Sequence, residues 1–174
     1  MQIKQRDARK LNLKQQGLLK SDLFGRGKNA VLKSIQQLSY LQIDTISVVQ
    51  RSHEHILSNR VSNFSPEMLS EHLASRKLFE YWGHAAAYLP IENYRFYQPV
   101  MQGFAQSRSV DKKLAAKILR RIRVEGPLQS KDFEDTRKSK TGGWWEWKPA
   151  KQVLEHLFLS GKLMVSRRAG FQKV

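Results

Sequence analysis

The chain has 174 residues, room for one domain or two small ones. Hydrophobic residues at 40% exclude global disorder, and the lack of cysteine excludes disulfides, thiolate metal ligands and a thiol nucleophile. No apolar run approaches the roughly 18 residues that span a bilayer, and Met1–Arg6 opens no signal-peptide segment, so a cytoplasmic protein without a membrane partner is expected. With 31 Lys and Arg against 15 Asp and Glu, the net charge is +16, a field that favours a polyanion. The excess is shared, +7 over residues 1–108 and +9 over 109–174, so both halves can face phosphates.

In chain order, residues 3–16 read as a basic helix with a thin apolar stripe, broken at Gly25-Arg26-Gly27. Val31, Leu32, Ile35 and Leu38 mark one face of a second helix. Tyr40–Ile46 is β-branched and aromatic enough to be extended, and a helical period runs from Ile46 to Arg60. Ser65-Pro66 opens another helix, Leu78–Trp82 looks like a strand, and Pro90 restarts a helix ending near Met101. The small, polar stretch 103–111 is the expected boundary between domains 1–108 and 109–174.

Asp111 caps the next helix, with Leu114, Ile118, Leu119 and Ile122 inward and a lysine- and arginine-rich outer face ending at Gly126-Pro127. A short helix starts at Ser130, and Thr136–Trp147 is a loop rich in Gly, Lys and Trp. A third helix opens at Pro149 and stops at Gly161. Lys162–Ser166 is an expected strand, Arg167–Gly170 a turn, and Phe171–Val174 the returning strand. Helix, short helix, helix and basic hairpin is the order of a winged helix. The expected fold is therefore mainly α with small β, α+β, as tandem winged helix-turn-helix domains. Lys148, Lys151, Gln152, Glu155 and His156 would form the outward face of a recognition helix, with Arg167 and Arg168 at the wing tip near phosphates. Their alternative is a merely solvated charged face. The last strand ends without a turn or cap, and an N-terminal piece of a longer protein is expected.

Chemistry centres on Gln42-Ile43-Asp44. In an extended segment, residues two apart project to one side. Gln42 and Asp44 would share a face, with Leu41 and Ile43 on the core. A carboxylate can stabilise the oxocarbenium-like transition state of glycosidic cleavage or deprotonate a water, and an amide can hold that water. A cationic leaving base such as N7-alkylated guanine needs no general acid. The competing role is structural, since Asp44 is also a good N-cap for the helix expected from Ile46. The two roles are compatible.

Other candidates carry less. His53-Glu54-His55 is not a H-E-x-x-H zinc motif, so no metal and no cofactor are expected. His84 is either a phosphate or substrate contact or a hydrogen-bonded structural histidine. Trp144, Trp145 and Trp147 suit base stacking or domain packing equally. Gly25-Arg26-Gly27-Lys28 lacks P-loop spacing.

Leu41–Val49 followed by Arg51 and His53, the block Phe79–Pro90, and the hairpin Arg167–Val174 together resemble the YcaQ/AlkZ-like family, tandem winged-helix DNA glycosylases that unhook interstrand crosslinks. The resemblance runs from about Asp7 to Val174. It implies hydrolysis of the N-glycosidic bond of N7-alkylated purines in double-stranded DNA, crosslinked ones included, in a nucleoid-associated repair enzyme. The family's motif is Gln-apolar-Asp in one branch and Gln-apolar-Gln in the other; the Asp form here gives Gln42 and Asp44 the catalytic roles. An open basic surface would suit a base tethered to both strands. Family members are longer, with further winged-helix and β-rich regions. A non-catalytic winged-helix DNA-binding protein or transcription regulator is the rival, and an RNA-binding or ribosome-associated protein a second.

Overall fold

The computed structural model describes residues 2–133, 148–169 and 171–174. The chain is mostly helical with two small antiparallel sheets. It divides into two compact units, Met1–Tyr94 and Arg95–Val174.

The first unit opens with α1 (Gln5–Gln15), a polar helix that buries no residue. Helix α2 (Gly27–Leu38) buries Ala30, Val31, Ser34 and Ile35, as the 3.6-residue period requires. The Ser34 hydroxyl donates to the Ala30 carbonyl at 2.8 Å, which lets a polar side chain sit in the core. Strand β1 (Leu41–Gln42) follows, then α3 (Ser52–Ser58), α4 (Pro66–Ala74), β2 (Leu78–Trp82) and β3 (Ala86–Pro90). The sheet order is β1-β3-β2, antiparallel throughout, so β1 is an edge strand. In register, Leu41 faces Tyr88, Gln42 faces Ala87, and Phe79 faces Leu89. Four consecutive residues are buried in β2 and in β3, and α2 and α4 pack against each other and against the sheet. Fully buried Phe79, Ile35, Leu57 and Leu78 each contribute about 1.5–3 kcal/mol.

Loops are tied down by polar groups. The Asp22 carboxylate accepts from the Ser62 backbone N–H at 2.8 Å and the Ser62 hydroxyl at 2.9 Å, and pairs with Arg26 at 3.2 Å. The Ser62 bonds, chiefly, hold its pKa below the ordinary aspartate value.

The second unit holds most of α5 (Tyr94–Ser107), α6 (Lys112–Glu125), a 3-10 turn (Ser130–Asp132), α7 (Pro149–Leu159) and a hairpin of β4 (Arg168–Ala169) and β5 (Gln172–Lys173). Asp111 Oδ1 accepts from the Leu114 N–H at 3.0 Å, the N-cap expected from the sequence. Ile118, Val153, Leu157, Ala150, Ala115 and Phe133 form the core, with Leu114, Leu119 and Ile122 packed on it.

Two expectations change here, and one strand is new. The helix expected to end near Met101 runs on to Ser107, because Met101 is buried and the Phe104 ring packs 5.4 Å from His156, so the stretch through Phe104 has apolar work to do. The strand expected at Lys162–Ser166 is displaced toward the C-terminus. The N–H groups of Lys162 and Leu163 both bond the Leu157 carbonyl, which spends them on closing α7, and pairing begins only where Ser166 N–H meets the Val174 carbonyl at 2.8 Å. Segment 86–90 is a strand that the sequence hid, since its alanines favour helices. Gly161 is required twice over: its φ is +71°, and a Cβ there would stand 2.6 Å from Met101 Sδ. The Trp144, Trp145 and Trp147 loop lies outside the described residues, as does Gly170 of the expected turn.

Candidate active site

The Gln-Ile-Asp segment leaves the sheet at its edge. Beyond β1, the Ile43 N–H still donates to the Ala86 carbonyl at 2.8 Å, so the backbone stays extended across the motif. Leu41 and Ile43 are buried; Gln42 is exposed and Asp44 half-buried. That alternation is the pleat of an edge strand, with the amide and the carboxylate on the side away from the core.

Asp44 then turns the chain. Its Oδ1 accepts from the Ile46 N–H at 2.9 Å, a bond from a side chain to the backbone two residues on. This Asx geometry replaces the expected N-cap. The helix expected from Ile46 is confined to α3, whose N-cap is Arg51. The reason is local: Ile46, Val48 and Val49 are β-branched, the Asx turn takes the Ile46 amide out of helical bonding, and Ser47 bridges to Arg51 across the intervening loop. Asp44 therefore caps no helix.

His53 is the partner that the sequence reading missed. It is 3% exposed, and its Nδ1 accepts from the Asp44 backbone N–H at 3.2 Å. Accepting there puts the ring proton on Nε2. The ring is 6.0 Å from that of Tyr88, which pairs with Leu41 in the sheet. The available signal was the spacing of His53 and Leu57, one turn apart on one inward face of α3.

Gln42 also lines a cleft of about 550 Å³ with Tyr40, Gln16, Gln37, Ile56 and Arg60; Asp44 is not part of its wall. Arg60 is only 7% exposed. Its Nε donates to the Gln16 carbonyl at 2.8 Å and its Nη1 to the Ile56 carbonyl at 2.7 Å, and burial lowers its pKa. The cation thus serves the C-terminal carbonyls of two helices, where the helix dipole favours it. His84 is exposed and stands edge-on to Tyr40 at 5.6 Å, beside the cleft rather than in it.

The family model described as DNA glycosylase AlkZ-like matches residues 35–174. This chain belongs to that family. The match begins within α2 and takes in β1, the Asx turn, α3 and the terminal hairpin of the AlkZ-like chain. The family name places it among the DNA glycosylases, with DNA as the implied partner. No solved structure matches it.

In the second unit of this AlkZ-like chain, Lys151 and Gln152 are exposed on α7, Lys148 is its half-buried N-cap, and Arg167 is exposed before β4. Arg168 lies in β4, next to the turn of the hairpin. Its Nη1 donates to the Phe171 carbonyl at 2.7 Å and its guanidinium lies 4.6 Å above the Phe171 ring, which holds the side chain against its own hairpin. Glu155 and His156 leave the expected outward face: Lys173 Nζ pairs with Glu155 at 3.2 Å, and His156 packs on Phe104. Burial, and then the nearby charges of Lys162 and Arg108, depress the His156 pKa. Among the described residues, no three His, Asp or Glu side chains gather as metal ligands.

Proposed function

We propose that this AlkZ-like chain hydrolyses the N-glycosidic bond of N7-alkylated purines in double-stranded DNA, interstrand crosslinks included, with Gln42 and Asp44 as the reacting pair. The observation that carries the reading is the edge-strand alternation that turns Gln42 and Asp44 away from a core that takes Leu41 and Ile43. Asp44 uses one carboxylate oxygen on the Ile46 N–H, and the other is the base for water. Water adds its oxygen to C1′ and gives a proton to Asp44, while the C1′–N9 pair leaves with the purine. The alkylated purine is cationic before cleavage and departs neutral, so no acid is required. Gln42 holds the water, and the carboxylate charge offsets the positive charge that grows on the sugar.

The order of α6, the 3-10 turn, α7 and the basic hairpin supports a winged helix in the second unit, with Lys148, Lys151, Gln152 and Arg167 toward DNA. The first unit is proposed as the other member of the tandem, with His84 as a phosphate contact beside the cleft. Localisation with DNA in the cytoplasm follows from the same reading.

The test is release of free base from duplex DNA carrying N7-methylguanine. Asp44→Asn keeps an oxygen for the Ile46 N–H and so leaves the turn intact. It should cut release by about 10²–10⁴-fold and retain duplex binding. The Asx bond favours one rival, in which Asp44 merely shapes a DNA-binding surface. Unchanged release in Asp44→Asn, or none from the wild type, would award the site to that rival.

A further inference from the structure

Immediately after Asp44 the chain exposes aliphatic side chains that no packing explains. Ile46 is 71% exposed, Val48 92% and Val49 97%. A lone exposed valine is ordinary, but three β-branched residues within four positions of a basic chain are not. Nor is the segment shapeless. Ser47 bridges to Arg51, so residues 47–51 form a closed loop with Val48 and Val49 at its tip. At its base, the Ile46 N–H is bonded to the Asp44 carboxylate, the Asp44 N–H to His53, and Arg51 pairs with Glu54 at 3.8 Å. Tip and motif therefore share one turn and cannot be positioned independently.

We infer that the Val48–Val49 tip is a wedge that enters the base stack of duplex DNA beside the nucleotide presented to Asp44. The inference rests on the DNA-glycosylase reading for its partner. Size selects that occupant: two valines fall far short of the roughly 800 Å² per partner of a stable protein interface, yet an apolar side chain or two is what architectural proteins push between base steps. The +16 charge brings the duplex close, since phosphate contacts supply the affinity and leave the apolar tip to do local work. β-branched side chains are stiff about χ1, so little freedom is lost when they insert. For a purine tethered to both strands, parting the neighbouring step opens the sugar to water without turning the base out of the helix.

The experiment uses a duplex with 2-aminopurine next to 2′-fluoro-N7-methylguanosine, whose fluorine slows cleavage. Binding of the wild-type chain should raise 2-aminopurine emission severalfold as the step unstacks. The double variant Val48→Ser, Val49→Ser should lose most of that rise while duplex affinity changes by less than about tenfold, because phosphates hold the complex. Val48→Leu should keep it. Both positions are solvent-facing, so the variants fold. Equal emission from wild type and double variant, or no rise with the wild type, overturns the wedge. A second copy seated on the loop would show as a dimer that the double variant abolishes, with emission unmoved, and overturns it too. Base release is scored separately on the cleavable duplex. Release without unstacking rejects the wedge alone, and unstacking without release rejects the glycosylase reading alone.

Discussion

His53 does for Asp44 what the aspartate cannot do for itself. A carboxylate at a chain turn is free to swing, and here the backbone under it is fixed by the imidazole Nδ1 while the side chain is fixed by the Ile46 N–H. His53→Phe keeps the ring volume against Tyr88 but leaves the Asp44 N–H without its acceptor, a loss of about 1–3 kcal/mol for a part-buried donor. The expected outcome is a lower melting temperature together with base release reduced more than duplex binding, read by thermal denaturation and by the release assay side by side. A purely structural histidine would lower both activities in step with the folded fraction. At this scale the sequence spoke clearly about Gln42 and Asp44, because a period of two over four residues is legible without tertiary information. It named His53 within the family resemblance but was silent on its bond to Asp44, because a contact nine positions away depends on how α3 folds back.

Among elements, the joint that matters is the meeting of α1 with α3. Helix α1 buries nothing, so packing does not hold it to the first unit. Arg60 does so through the Gln16 carbonyl, and Gln37 adds bonds to Gln15 at 3.1 Å. Arg60→Met fills similar space without a donor and abandons two carbonyls, a cost of about 1.5–3 kcal/mol for bonds to a charged group. It should expose residues 5–17 to limited proteolysis before the rest of the unit is cut. Helix α2 was readable from apolar spacing, and α4, α6 and α7 also from Pro or Asp at their starts. The stretch Ile46–Gln50 was misread because Ile46 and Val49 mimic a helical period. The Asx bond and the Ser47–Arg51 bridge, neither of which periodicity reports, act with the β-branched side chains against that helix. Strand β3 was hidden for the opposite reason: its two alanines carry no strand preference, and pairing with β2 on one side and β1 on the other overrides them.

For the whole molecule, charge sets the terms of association. A +16 chain that meets six to ten phosphates should lose about 10³–10⁵-fold in duplex affinity between about 50 and 200 mM salt. Fluorescence anisotropy across that range checks it, and a flat response would remove phosphate contact as the source of binding. Composition made this expectation legible at once, whereas the glycosylase family was legible only in three longer blocks, Leu41–Val49, Phe79–Pro90 and Arg167–Val174. The first of these begins on a sheet edge, and that edge has a cost. Strand β1 pairs over only two residues with β3 and gains one more bond at Ile43, against five paired positions between β2 and β3. The amides of Leu41–Ile43 should accordingly exchange with deuterium well before those of β2, through local fraying that leaves the helices intact. Warming would then silence base release while circular dichroism still looked native, because the proposed reacting pair sits on a thread that loosens before the core does.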